Sequence, residues 1–270
     1  MQFSDLALAR RLEGAEGHAC VQFATARRKL FPDSGSCWME CAGAQVVFDG
    51  IDSPVTQTFG LGLSEELTAS SLDTIERFFF DRGAPVHHEV SPLAGIATLN
   101  LLCARQYRPI EISSVMYREL DEATPGDITV RVTGPADAQI WADVSARGWA
   151  HQKPELFTFI KQFGAIAFAR DQSPCFLAEL DGQPGAAGSL SIHDGVALFA
   201  GAATVPEMRR RGLQSALLQA RLRYAFDHGC DLAMMVAEAG GESQRNAERK
   251  GFRIAYTRTK WRRRTVLPAG

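Results

Sequence analysis

The chain is predicted to be an α/β (α+β) protein of two tandem domains, each a mixed, mostly antiparallel twisted sheet flanked by helices. Three observations predict this. The 270 residues suit two domains of about 130 each. Apolar runs of strand length, ended by Pro, Gly or Asp-Gly, alternate with stretches whose apolar residues recur at helical spacing. The first half also repeats the second in outline. Phe80-Asp81-Arg82-Gly83 aligns with Phe226-Asp227-His228-Gly229 at an offset of 146, and Ala104-Arg105-Gln106-Tyr107-Arg108-Pro109 aligns with Arg249-Lys250-Gly251-Phe252-Arg253-Ile254 at 145.

Both halves run helix, short apolar strand (residues 84–90 against 231–237), short helix and terminal strand (111–118 against 256–263). The polar stretch 121–127, with its Pro125-Gly126 turn, reads as a linker, giving domains 1–122 and 123–270. In the second domain 128–132 alternates as a first strand, 136–147 and 154–163 are helical, and 175–180 with 186–192 make a hairpin around Asp181-Gly182. Residues 196–205 read as a buried strand stopped by Pro206, which cannot donate to a ladder. Leu213, Leu217, Ala220 and Tyr224 then share a helical face, with Leu218, Leu222 and Phe226 beside it, and the pattern ends at Gly229. A short polar helix, 242–250, closes at Gly251-Phe252. Trp141, Trp149, Phe157 and Phe159 either fill the core or line an apolar pocket.

The most informative stretch joins the buried strand to the long helix: Arg209-Arg210-Arg211-Gly212-Leu213-Gln214-Ser215. The first turn of a helix carries N–H groups without intrahelical partners and the positive end of the peptide dipoles, so it favours an anion. Gly212 allows close approach, and planar guanidinium groups suit phosphate oxygens. A solvated charge run before an ordinary helix start is the alternative reading of the same residues.

The segment resembles the acyl-CoA loop of the GNAT superfamily of N-acetyltransferases, whose pattern is Gln/Arg-x-x-Gly-x-Gly/Ala between the fourth strand and third helix. Arg209 and Gly212 match its first two positions, and Gln214 departs from the third. The likeness covers about residues 126–264, one GNAT domain, and the repeat extends it to a tandem GNAT-like arrangement. It implies acetyl-CoA, or another acyl-CoA, as co-substrate, a primary amine as acceptor, and direct attack on the thioester. It further implies that the pantetheine arm pairs with backbone near Ala203, Thr204 and Val205, and that the pyrophosphate lies over residues 209–215. Ser243, Asn246 and Arg249, on one face of the short helix, would face the CoA side. The family's tyrosine acid falls on Ala247, so that acid is missing here. Candidate bases are Glu179, His193, Asp194 and Glu238, since an ammonium must lose its proton near neutral pH. Projected back by 146, Arg210, Arg211 and Gly212 land on Ser64, Glu65 and Glu66. Ser64 is the expected helix N-cap, and the two carboxylates would repel a pyrophosphate. The first half is therefore expected to be a degenerate GNAT-like domain that does not bind CoA.

Composition, 46% hydrophobic and 22% charged, is that of a globular protein with a substantial core. No apolar run approaches the ~20 residues of a membrane span, and residues 1–11 lack the order of a signal peptide, so a cytoplasmic protein is expected. Cys20, Cys37, Cys41, Cys103, Cys175 and Cys230 are expected to be reduced core thiols, and no metal is expected: Cys37 and Cys41 lack a second ligand pair, and His87 and His88 should point to opposite strand faces. Residues 201–270 hold 14 Lys+Arg against 6 Asp+Glu, whereas 1–200 hold 15 against 25. That asymmetry suits an anionic cofactor. It also motivates a nucleic-acid surface built from Arg209–Arg211 and residues 260–264, although the nearby aromatics sit at core-like positions and no nucleic acid is expected. An acyl-CoA-binding or sensor module of weak turnover is the other alternative, raised by Ala247. Acceptor identity, acyl chain and oligomeric state carry no readable signature.

Overall fold

A computed structural model describes residues 3–121, 128–150, 157–171 and 173–264. The chain separates into two compact units, Met1–Arg118 with Val236–Gly270, and Glu119–Met235.

The first unit is a sheet in the order β1-β2-β3-β4-β11-β5, where β1 is Cys37–Cys41, β2 Ala44–Phe48, β3 Gln57–Phe59, β4 Val86–Val90, β5 Arg108–Glu119 and β11 Arg253–Arg263. Its helices are α1 (Leu6–Leu30), α2 (Ala69–Phe80), α3 (Gly95–Ala104) and α7 (Glu242–Glu248). Helix α1 starts on an Asp5 carboxylate that accepts from the Leu8 amide at 2.9 Å. It lies close on the sheet at Gly17, where a Cβ would come within 3.1 Å of Phe59.

The last strand of the chain, β11, sits in this unit. It pairs antiparallel with β4, Trp261 opposite His88, and with β5, Thr257 opposite Ser114. The division at residue 122 read from the sequence and the division by compactness therefore differ in where residues 236–270 fall. Ion pairing accompanies the strand pairing. Buried Arg258 donates to Glu13 at 3.0 Å and to Glu16 at 2.6 and 2.9 Å, Lys260 lies 3.3 Å from Glu89, and Arg263 pairs with Glu76. The expectation that the basic end is a field for an anionic partner is thus corrected for β11. Much of its positive charge is neutralised by acids of the first half of the sequence, including that of Lys260 and Arg263 within the 260–264 stretch.

The second unit contains β6 (Val130–Val132), β7 (Cys175–Leu180), β8 (Gln183–His193) and β9 (Val196–Thr204), with β10 (Leu232–Glu238) crossing the boundary; the order is β10-β9-β8-β7-β6. Neighbours among β6 to β9 are antiparallel, and β10 is parallel to β9. Helices α4 (Ala138–Ala150), α5 (Phe157–Phe168) and α6 (Leu213–Asp227) complete it. Trp141 packs with Val144, Ala167, Cys175, Leu177, Ala187 and Val205, so it belongs to the core rather than to a pocket lining. Trp149 is half-buried. The side chains of Phe157 and Phe159, the linker residues 122–127 and the start of the helix expected at 154–163 lie outside the described residues.

Two further expectations are corrected. Helix α2 begins at Ala69 and its cap is Thr68, not Ser64: Thr68 Oγ1 accepts from the Ser71 amide at 3.1 Å while Ser71 Oγ accepts from the Thr68 amide at 3.0 Å. Glu65 and Glu66 sit in the turn before it. All six cysteines are free, but only Cys175 and Cys230 are buried, and Cys103 is exposed on α3. The two histidines diverge as alternation requires. His88 is fully buried against Tyr107 at 3.1 Å, and burial holds it down to about pKa 3; no metal-ligating cluster occurs among the described residues.

Candidate active site

The sequence Val205-Pro206 ends β9 and begins a single 3-10 turn, Pro206–Met208, followed by Arg209 in extended backbone. Arg210 has φ +59° and Gly212 φ +86°, so the chain passes twice through the left-handed region within three residues before α6 starts at Leu213. At Gly212 a Cβ would be both strained and 3.1 Å from Ile128, which explains glycine there. Among the described residues no side chain caps α6. The Leu213 and Gln214 amides at its start therefore retain their anion-binding character, whereas in α2 the Ser71 amide is held by Thr68.

The four polar side chains of this turn divide the work. Arg209 turns inward: its Nε donates to the Thr204 carbonyl at 3.3 Å and its Nη2 to the Gly148 carbonyl at 3.1 Å, stapling the turn to β9 and α4. Gly148 makes this approach possible, since a Cβ would lie 2.6 Å from that of Ala203. Arg210 and Arg211 are exposed. Arg211 has one contact at 3.5 Å to exposed Asp181, a weak surface pair that leaves the guanidinium able to turn to another anion. Gln214 swings its side chain aside to accept from Thr204 Oγ1 at 3.0 Å, so the departure at this position does not obstruct its amide.

The edge of β9 above the turn is open. Its parallel ladder with β10 joins Val196, Ala197 and Leu198 to Leu232, Ala233 and Met234 and goes no further. On the other side, toward β8, Ala187 opposes Ala203 and Ser189 opposes Ala200, so Gly201 and Ala202 together face Gly188: a bulge, led by a glycine at φ +62°. Ala203 is buried and Thr204 half-buried, while the Val205 amide already donates to the Gly185 carbonyl at 2.9 Å.

The candidate bases are scattered. Glu179 accepts from Arg131 Nε at 2.8 Å, and Arg131 also grips Asp137 with two bonds of 2.9 Å, so this carboxylate is held in an ion-pair cluster at the β6–β7 edge. His193 pairs with Val196 at the hairpin with Asp194, at the far end of β9 from Thr204. At a strand rise of about 3.3 Å per residue that is roughly 25 Å from the turn. Glu238 ends β10 in the first unit, as does α7 with its exposed Ser243, Asn246 and Arg249, where Arg249 donates to Asn246 at 3.1 Å. Ala247 is buried.

Sequence reasoning missed three contributors: Gly148, buried Arg221 on α6, and the bulge. The bulge had a signal, an isolated glycine inside the apolar run 196–205. Arg221 sat unremarked on the helix, since periodicity registers apolar residues and not a buried cation among them.

Residues 138–252 match the Acetyltransferase (GNAT) family. No curated protein matches the chain in sequence. Among solved structures, a GCN5-related N-acetyltransferase from Kribbella flavida superposes with a TM-score of 0.65 at 18% identity, over 97% of this chain and 96% of that one. A GCN5-related N-acetyltransferase from Sphaerobacter thermophilus gives 0.55 at 16%, over 95% and 94%. A tandem GNAT protein from the clavulanic acid biosynthesis pathway gives 0.57 at 14%, over 84% and 83%. At such identities the likeness is one of fold. Residues 138–252 thus carry a match to the GNAT acetyltransferase family model, and the fold is the one seen in GNAT N-acetyltransferases, a tandem GNAT protein among them.

Proposed function

We propose that the protein transfers an acetyl group from acetyl-CoA to a primary amine. The observation that carries this reading is the turn at 209–215: an uncapped helix N-terminus, a left-handed Gly212, and two exposed guanidinium groups beside it. The residues fit a diphosphate as ligand. Amides of Leu213 and Gln214 supply directed donors, Arg210 and Arg211 supply charge, and Arg209 fixes the turn. The pantetheine arm runs along the open edge of β9 toward Ala203.

In the reaction the amine lone pair forms a C–N bond to the thioester carbonyl carbon, the C–S bond breaks, and the thiolate leaves with a proton. The ammonium loses its proton to water or to a carboxylate or histidine among Glu179, His193 and Glu238. Amides at the β9 bulge hold the carbonyl oxygen as it gains charge. The half formed by residues 1–122 binds no CoA in this reading, because Thr68 Oγ1 holds the Ser71 amide at the start of α2 and the carboxylates of Glu65 and Glu66 precede that helix.

A second reading, a CoA-binding module of weak turnover, is favoured by buried Ala247 at the family's acid position and by Glu179 being held by Arg131. Release of free thiol from acetyl-CoA across a panel of small amines, amino acids and peptides separates the two. Turnover on any amine supports transfer. CoA binding by calorimetry with no thiol release on the panel supports the module, and the lack of any CoA binding overturns both.

A further inference from the structure

Arg221 is the one feature of α6 that packing does not explain. It is 3% exposed, and its partners among the described residues are neutral: the Leu217 carbonyl at 3.3 Å, the Ser189 carbonyl at 3.2 Å, and the face of Phe199, whose centroid is 5.0 Å from the guanidinium carbon. A guanidinium buried without a carboxylate costs stability that a methionine in the same space would not. What it offers instead is a directed donor at a chosen carbonyl.

That carbonyl belongs to the residue that follows the bulge position on β8. Ser189 is paired with Ala200, and its hydroxyl donates to the Ala200 carbonyl at 3.4 Å. The residue before it, Gly188, opposes Gly201 and Ala202, and its carbonyl accepts from Trp141 Nε1 at 3.2 Å. A Cβ on Gly188 would lie 3.2 Å from Arg221 Nη1, so its side-chain direction is toward α6, whereas neighbouring Ala187 packs with Trp141 on the α4 side. Donors from helices on both faces of the sheet thus grip two consecutive carbonyls of β8, at the only point where β9 leaves its ladder among the described residues.

We infer that Arg221 and Trp141 are positioning residues that fix the bulge at Gly201 and Ala202 so that its amides meet the acyl carbonyl. The inference rests on the acyl-transfer reading and adds to it two residues that touch neither substrate. A free strand bulge shifts among several geometries, and a hydrogen bond misplaced by about 1 Å forfeits much of its effect on a developing oxyanion. Two rigid donors on the opposing strand remove that freedom.

The test uses full-length Arg221→Met, Arg221→Lys and Trp141→Phe. Two readouts are the thiol-release kinetics and the carbonyl 13C shift of bound acetyl-CoA labelled at that carbon. The expected result is a fall in kcat of about 10-fold or more for Arg221→Met and Trp141→Phe with KM for acetyl-CoA nearly unchanged, a carbonyl shift moved toward that of free acetyl-CoA, and partial recovery of both in Arg221→Lys. Variants that bind acetyl-CoA with wild-type kcat and wild-type carbonyl shift, whatever their melting temperature, overturn the inference alone. Should Arg221→Met fail to fold, Trp141→Phe and Arg221→Lys decide by the same readouts. A wild-type protein that neither binds nor shifts labelled acetyl-CoA overturns the transfer reading and this inference with it.

Discussion

Arg258 and Glu13 are hydrogen-bonded at 3.0 Å with both side chains about 1% exposed, although 245 positions separate them in the chain. Helix α1 and strand β11 therefore complete each other's burial. Truncating one member of a buried pair strands the other's charge, which costs about 3–5 kcal/mol. Arg258→Ala should lower the unfolding free energy by about that amount in urea titrations, whereas exchange of exposed Arg223, whose contact with Asp227 is a surface i,i+4 pair, should change it by less than about 0.5 kcal/mol.

Glu13 also gives the fold a pH signature. Burial, opposed by Arg258 and reinforced by the charge of Glu16, pushes its carboxyl up to about 7. A folded-state value above the unfolded one means that the stabilising proton is fully bound below pH 4.5 and is lost as pH rises through about 7. The Glu13 contribution should thus decline across that window. His88 acts in the opposite sense at the acid end, since its depressed value costs stability as pH falls below 6.5. Urea midpoints of wild type and Glu13→Gln measured from pH 5 to 8 check this: the difference between them should change monotonically with pH, and a constant difference contradicts it.

Local signals carried most of the second half. The apolar run ended by Pro206, the hairpin at Asp181-Gly182 and the amphipathic helix to Gly229 all announce themselves within a few residues, and each is an element of the structure. The turn was legible for the same reason, because three arginines and a glycine stand directly before a helix. The sequence did not reveal helix α1 or strands β1 to β3, where short strands with interleaved polar residues give weak periodicity. The destination of β11 was hidden too. Its apolar pattern only calls for a sheet, and which sheet is decided by Glu13, Glu16 and Glu89, far away in sequence. Within the site, the role of Arg209 could not be read, since a staple to the Gly148 carbonyl depends on a close helix–strand approach and not on spacing.

Gly212 should be intolerant of the smallest side chain. Alanine there must hold φ near +86° and place its Cβ 3.1 Å from Ile128. Gly212→Ala is expected to cost about 1 kcal/mol in stability and to weaken CoA binding, because the amides that follow are aimed by that backbone. Calorimetric titration of CoA, together with the melting temperature, checks both. Gly229→Ala serves as a control: it also has a positive φ but open space around its Cβ, so it should lose stability and keep CoA affinity.

The three consecutive arginines should separate by function. Arg209 spends its guanidinium on two backbone carbonyls, so Arg209→Ala removes donors from the Thr204 and Gly148 carbonyls and loosens the joint between α4, β9 and the turn. Its melting temperature should fall. Arg210 and Arg211 are exposed, with only the long contact from Arg211 to Asp181 among the described residues, so Arg210→Glu with Arg211→Glu should leave the melting temperature within a degree or two while placing two like charges against a diphosphate. CoA affinity should drop at least about 10-fold at low salt, and the gap to wild type should narrow as salt is raised, because exposed charges are screened over about 8–10 Å near physiological ionic strength. CoA titrations at two salt concentrations on all three proteins, with thermal unfolding alongside, give the comparison. Undiminished CoA binding by the doubly reversed variant would refute the cradle outright, for the loss of two cations and the gain of two anions cannot be neutral at a pyrophosphate site.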